Sequence, residues 1–103
     1  MILTAHQSMF LPWTGLFNKI SKADKFVIFD SVPFERHGWG NRNLIKTAHG
    51  PQMLTVPIHL NGHLDVPSNR IEIASGNWAR KHLRAIELAY QRAPYFERYF
   101  EPL

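Results

Sequence analysis

Two stretches of this chain gather side chains that can hold or move charge. The first is His6-Gln7, just ahead of Leu11-Pro12-Trp13-Thr14-Gly15. An imidazole in that position can act as a general base or polarise a phosphate near neutral pH. The second is Trp39-Gly40-Asn41-Arg42-Asn43-Leu44-Ile45-Lys46. Arginine offers a planar fork that grips phosphate or carboxylate through two bonds, and lysine adds a mobile point charge. Asn41 and Asn43 bracket Arg42, and Lys46 follows one helical turn later. Each stretch also has a plain structural reading. His6 can be a loop histidine bonded to backbone, and the asparagines can cap turns in a solvated loop. Residue types alone leave both readings open.

Other clusters carry less. His59, His63 and Asp65 flank Asn61-Gly62, with no helix to fix a ligand spacing, so a surface hairpin is expected and no metal site is assigned. Arg80, Lys81 and Arg84 belong on the wet side of an amphipathic helix. His82 falls on that helix's apolar stripe and reads as a satisfied core histidine. There is no Gly-rich phosphate loop and no nucleophile elbow around Ser8, Ser21, Ser31, Ser68 or Ser75. No cysteine is present, which excludes disulfide scaffolds, thiol nucleophiles and thiolate zinc sites. The residues specify no cofactor.

These groups need elements to position them. Residues 2–6 read as a short strand and a helix is expected from Pro12, with Trp13, Leu16, Phe17 and Ile20 as its apolar stripe. Gly15 inside that helix costs about 1 kcal/mol relative to Ala, so something should pack closely against it. Phe26-Val27-Ile28-Phe29 has the continuous apolar run of a strand buried on both faces. Strand, helix and buried strand make a βαβ unit, with Asp30 at the carboxyl end of the second strand, where ligands of open α/β sheets gather. Residues 31–50 look irregular. A strand from Gln52 to Ile58 should end or sit at an edge because of Pro57. Residues 70–74 alternate as a half-buried strand, and a helix runs from about 78 to 92 with Trp78, His82, Ile86 and Tyr90 on one face. The fold class is therefore α/β: one small βαβ-containing domain over residues 1–103, with a partly parallel sheet and a C-terminal amphipathic helix.

Twelve basic residues stand against eight acidic ones, a net +4. This suits an anionic partner such as a nucleotide, a phosphorylated sugar or RNA, and equally a mildly basic surface. The N-terminus lacks a secretory pattern and no apolar run is long enough to span a bilayer, so a soluble cytoplasmic protein is expected. The aromatics mostly sit at core periodicity, which disfavours a nucleic-acid-binding module.

The ordered motifs resemble those of the WbqC-like family. They begin with His6-Gln7, Phe10-Leu11-Pro12-Trp13, Gly15, Ala23-Asp24 and Asp30. They continue through Trp39, Asn41-Arg42-Asn43, Ile45-Lys46 and Leu54-Thr55-Val56-Pro57, and end with Trp78, Lys81-His82 and Ala93-Pro94-Tyr95-Phe96. Ser8 stands where that family usually has proline. Its members are longer, so the resemblance implies an N-terminal portion. The aromatic tail from Tyr95 to Phe100 then needs a second copy or a C-terminal portion to pack on. The resemblance also implies a role in O-antigen or related bacterial surface-polysaccharide (lipopolysaccharide) synthesis, with glycyl or other aminoacyl transfer onto an amino sugar. The βαβ unit is similar to that of HIGH-motif nucleotidylyltransferases, but Trp13 and Leu16 stand where histidines would be wanted.

The resulting expectation is a site at the carboxyl ends of the first two strands that takes a phosphorylated or nucleotide-linked sugar. His6 would accept a proton, Gln7 hydrogen-bond the substrate and Trp13 wall the pocket. Arg42 and Lys46 would hold phosphate, with Asn41 and Asn43 orienting it, and Asp30 would orient a histidine or bind a ribose or sugar hydroxyl. A non-catalytic RNA- or nucleotide-binding module and a truncated, inactive product are the alternatives.

Overall fold

A computed structural model of the chain describes residues 1–59 and 66–103. The Asn61-Gly62 turn, with His63 and Asp65, lies outside the described residues. The chain opens with β1 (Leu3–His6), α1 (Thr14–Ser21) and β2 (Lys25–Ile28). The two strands pair in parallel, Leu3 opposite Lys25 and His6 opposite Ile28, as the βαβ reading expected. Asp24 and Lys25 donate their N–H groups to the Ile2 carbonyl at one end, and Phe29 donates to the His6 carbonyl at the other. Lys19 reaches back from α1 to the Ala5 carbonyl at 2.9 Å, tying helix to strand. The helix starts at Thr14, two residues later than Pro12 suggested. Leu11 takes a left-handed φ of 46°, so the chain turns there and Pro12 belongs to the entry loop.

Residues 42–50 overturn the expectation of an irregular segment, while the strand expected from Gln52 to Ile58 is present and stops at Thr55. Arg42–Thr47 and Gly50–Thr55 form the antiparallel hairpin β3–β4, closed by the two-residue turn Ala48-His49. Gly50, at φ 109°, supplies backbone that other residues rarely adopt. Pro51 sits inside β4 without breaking it because it faces Lys46, whose N–H points away from the hairpin to the Tyr90 hydroxyl. That position asks no ladder bond of the proline. Pro57 ends the strand, and the short β5 (Ile58–His59) pairs with β6 (Glu72–Ile73). The helix expected at 78–92 is α2 (Trp78–Tyr90), and α3 (Phe96–Phe100) follows. Asn77 occupies the cap position of α2, but its side chain accepts no capping hydrogen bond.

Among the described residues only Leu16, Ile45, Leu54 and Val56 are buried. The Phe26–Phe29 run, expected to be covered on both faces, leaves Val27 45%, Ile28 62% and Phe29 46% exposed. Its sheet has two strands among the described residues, too few to cover the run on both faces. The chain exposes 8137 Å², where a self-contained globule of this mass exposes about 6,000 Å². The radius of gyration, 15.7 Å, likewise exceeds the value of about 13 Å for a compact domain of this length. No helix is long and apolar enough to cross a membrane among the described residues.

Candidate functional site

A cleft of about 800 Å³ opens where β1 ends. His6 and Gln7 form one wall and Trp13, ahead of α1, stands beside them. Pro33 to Gly40 contribute Phe34, Glu35 and Trp39 to the opposite side. Asn41, Asn43, Val56 and Ile58 come from the hairpin and its exit, and Ile71 and Ile73 complete the floor. Such a lining, mostly apolar with a few convergent polar groups, is typical of a small-molecule site.

His6 is half-buried, and its Nδ1 lies 2.8 Å from the Gln7 carbonyl oxygen. A carbonyl only accepts, so in the neutral ring Nδ1 carries the hydrogen and Nε2 keeps its lone pair. The ring meets Trp13 edge to face at a centroid distance of 5.6 Å. Trp13 in turn lies over Gly15, where an added Cβ would come within 2.8 Å of the indole Cδ1. This is the close packing that a glycine in the first turn of α1 suggested. Gly40 has the same use across the cleft: a Cβ there would stand 2.9 Å from the Phe34 ring.

The second chemical stretch is split by strand geometry. Side chains alternate between faces along β3. Asn41 and Asn43 therefore share the face that carries buried Ile45, and both line the cleft. Arg42 and Lys46 share the other face, and neither lines it. The helical spacing that put Lys46 beside Arg42 and the asparagines does not apply in a strand. Arg42 donates from Nε to the Gly38 carbonyl at 3.2 Å and from a terminal nitrogen to the His37 carbonyl at 2.5 Å. Its guanidinium also sits 5.8 Å over the Trp39 ring. It holds the loop that carries Glu35 and Trp39. Asp30 lies beyond β2, outside the lining, and its backbone carbonyl accepts from Asn69.

The asparagine amides are already partly engaged. Asn41 donates to the Val56 carbonyl at 2.9 Å. Asn43 donates to the carbonyls of Phe10 (3.2 Å) and Leu11 (2.7 Å), while its oxygen accepts from Leu44 N–H. Asn43 thus pins the strained Leu11 turn against β3. The Asn41 side-chain oxygen accepts no bond among the described residues and stays available to a ligand.

Glu35 and Phe34 were missed from the sequence, because residues 31–40 show neither helical nor strand periodicity to place a side chain. His82 also departs from expectation. Its rings-in-contact are Phe10 at 5.6 Å and Trp78 at 5.4 Å, but its buried Nδ1 has no hydrogen-bond partner. No group of three or more potential metal ligands occurs among the described residues.

Residues 7–103 match the WbqC-like protein family. Over 90 residues the chain is 38% identical to an uncharacterized protein of Mycobacterium tuberculosis, covering 87% of this chain and 39% of that protein. The chain therefore spans about two fifths of the length of this relative. No solved structure matches it.

Proposed function

Since the chain belongs to the WbqC-like protein family, we propose that its cleft takes an amino sugar during bacterial surface-polysaccharide synthesis and that His6 is the base for aminoacyl transfer onto the sugar's amine. The observation that carries this reading is the composition of the cleft at His6. An imidazole with Nδ1 fixed on a backbone carbonyl keeps Nε2 as a proton acceptor, beside two tryptophans suited to sugar faces and an asparagine oxygen suited to a hydroxyl. The donor is an activated aminoacyl ester. The amine nitrogen attacks the ester carbonyl carbon, the C–N bond forms and the C–O bond to the leaving group breaks. His6 Nε2 takes the amine proton and returns it to the departing oxygen. Gln7 and Asn41 orient hydroxyls, and Asn43 holds the loop in place. No phosphate contact is assigned to Arg42, which is engaged on carbonyls, or to Lys46, which faces away from the cleft.

Amide NMR of the chain, titrated with D-glucosamine and with its uridine diphosphate conjugate, tests the site. Saturable shifts confined to residues 6–13 and 34–43 are expected. A titration that moves none of these signals removes the cleft as a sugar site. For the chemistry, His6→Ala should abolish acyl transfer while changing sugar affinity by no more than about twofold, as expected for a group needed only in the reacting complex. Comparable transfer by the variant would remove His6 from the mechanism.

A further inference from the structure

The chain has 12 lysines and arginines against 8 acidic residues, yet none of its basic side chains lines the cleft. Residues 60–65 contain neither lysine nor arginine, so they add none. Among the described lining residues the one carboxylate is that of Glu35, and no lysine or arginine accompanies it. Its surroundings keep it available. The nearest arginine in sequence that the structure shows bonded, Arg42, places its donors on the carbonyls of His37 and Gly38 instead. The 35–38 turn is closed by Gly38 N–H on the Glu35 carbonyl, 3.2 Å away. Gly38 leaves room for the acid, since a Cβ there would lie 2.9 Å from Glu35 Oε2. The only ion pair among the described residues is Arg84–Glu87, on α2. Four aromatic residues, Phe10, Trp13, Phe34 and Trp39, line the same cleft.

A cleft that carries an unpaired carboxylate and several ring faces attracts a cation, through direct charge and through the ring quadrupoles, and repels an anion. We infer that Glu35 is the specificity-determining residue of the cleft and selects a ligand that enters with a free ammonium group. This rests on the amino-sugar reading and deepens it. The substrate class becomes the unacylated amino sugar, and N-acetylated, uronic and directly phosphorylated rings are disfavoured inside the cleft. The cation is bound first; it loses one proton to solvent to become the neutral amine, and His6 takes the second as that amine attacks and passes it to the departing oxygen.

The test compares D-glucosamine with D-glucose, and cyclohexylammonium with cyclohexanol, each titrated into the full chain and into Glu35→Gln. Amide shifts and tryptophan fluorescence give the affinities, at a pH where the amines are protonated. Glu35 is exposed, so the cationic member of each pair should bind about two- to five-fold tighter, the range of an exposed ion pair. Glu35→Gln should erase that ratio and leave the neutral ligands unchanged. Equal affinities, or a preference that survives in Glu35→Gln, overturns the assignment. Cyclohexylammonium binding that depends on Glu35 while neither sugar binds would sink the sugar reading and leave the cation selectivity standing. If no ligand moves a signal, both fall.

Discussion

Gly15→Ala sets two effects of opposite sign against each other. Ala is a better helix former than Gly by about 0.8–1.0 kcal/mol, so α1 alone should gain. The added methyl, however, would stand 2.8 Å from Cδ1 and 3.2 Å from Cε2 of the Trp13 indole. Trp13 is 51% exposed and can swing outward instead of forcing α1 apart. Doing so gives up its edge-to-face contact with His6, worth about 0.5–1.5 kcal/mol, and re-exposes roughly half an indole, worth on the order of 1–2 kcal/mol. The losses outweigh the helix gain, and net destabilisation of about 1 kcal/mol is expected, a fall in Tm of about 4–8 °C for a chain of this size. A double-mutant cycle isolates the cause. In a Trp13→Ala background the obstacle is gone, so Gly15→Ala should there stabilise by up to about 1 kcal/mol. Urea melts of the four proteins give the sign, and the His6 ring-proton shift reports whether Trp13 has left. An equal loss in both backgrounds would refute the argument, because the clash would not then be with Trp13.

Asn43→Ala removes both donors that pin the Phe10 and Leu11 carbonyls to β3, so a loss of about 2 kcal/mol is expected in denaturant melts, with broadened amide signals over residues 8–13; a loss below about 0.5 kcal/mol would mean that the loop holds its shape without Asn43. Tyr90→Phe deprives Lys46 N–H of its acceptor in an exposed setting where water can substitute, so the cost should be about 0.5–1 kcal/mol, with faster hydrogen exchange at Lys46 and not at Ile45. His82→Leu replaces a buried, unpartnered nitrogen by an apolar group, and stability should be unchanged or improved by up to about 1 kcal/mol; a loss above 2 kcal/mol would show that Nδ1 has a partner in solution.

Much of the order of elements was legible in the sequence because it rests on local patterns. The apolar run at 26–29 specified a strand, the three-and-four spacing from Trp13 specified α1, and Trp78, His82, Ile86 and Tyr90 specified one face of α2. Pro57 marked the end of a strand because it lacks a donor. Gly15 also announced a close neighbour, though not which one. His6, Gln7, Trp13, Asn41 and Asn43 were singled out by chemistry, and the fold brings all five to one cleft.

What tertiary structure decided is where alternation and long-range pairing take over. Residues 42–47 are polar enough to read as a loop, and their strand exists because Gly50–Thr55 pairs with them. Once it does, period-two geometry sends Arg42 and Lys46 to one side and Asn41 and Asn43 to the other. The same hairpin draws Asn43 onto the Leu11 turn, 32 residues away in sequence. Glu35 lines the cleft from a loop that Arg42 holds through the His37 and Gly38 carbonyls and the Trp39 ring. Local propensity can name the elements and the reactive groups. Which of those groups meet depends on contacts between residues far apart in the chain, and a single sequence carries no local signature of those contacts.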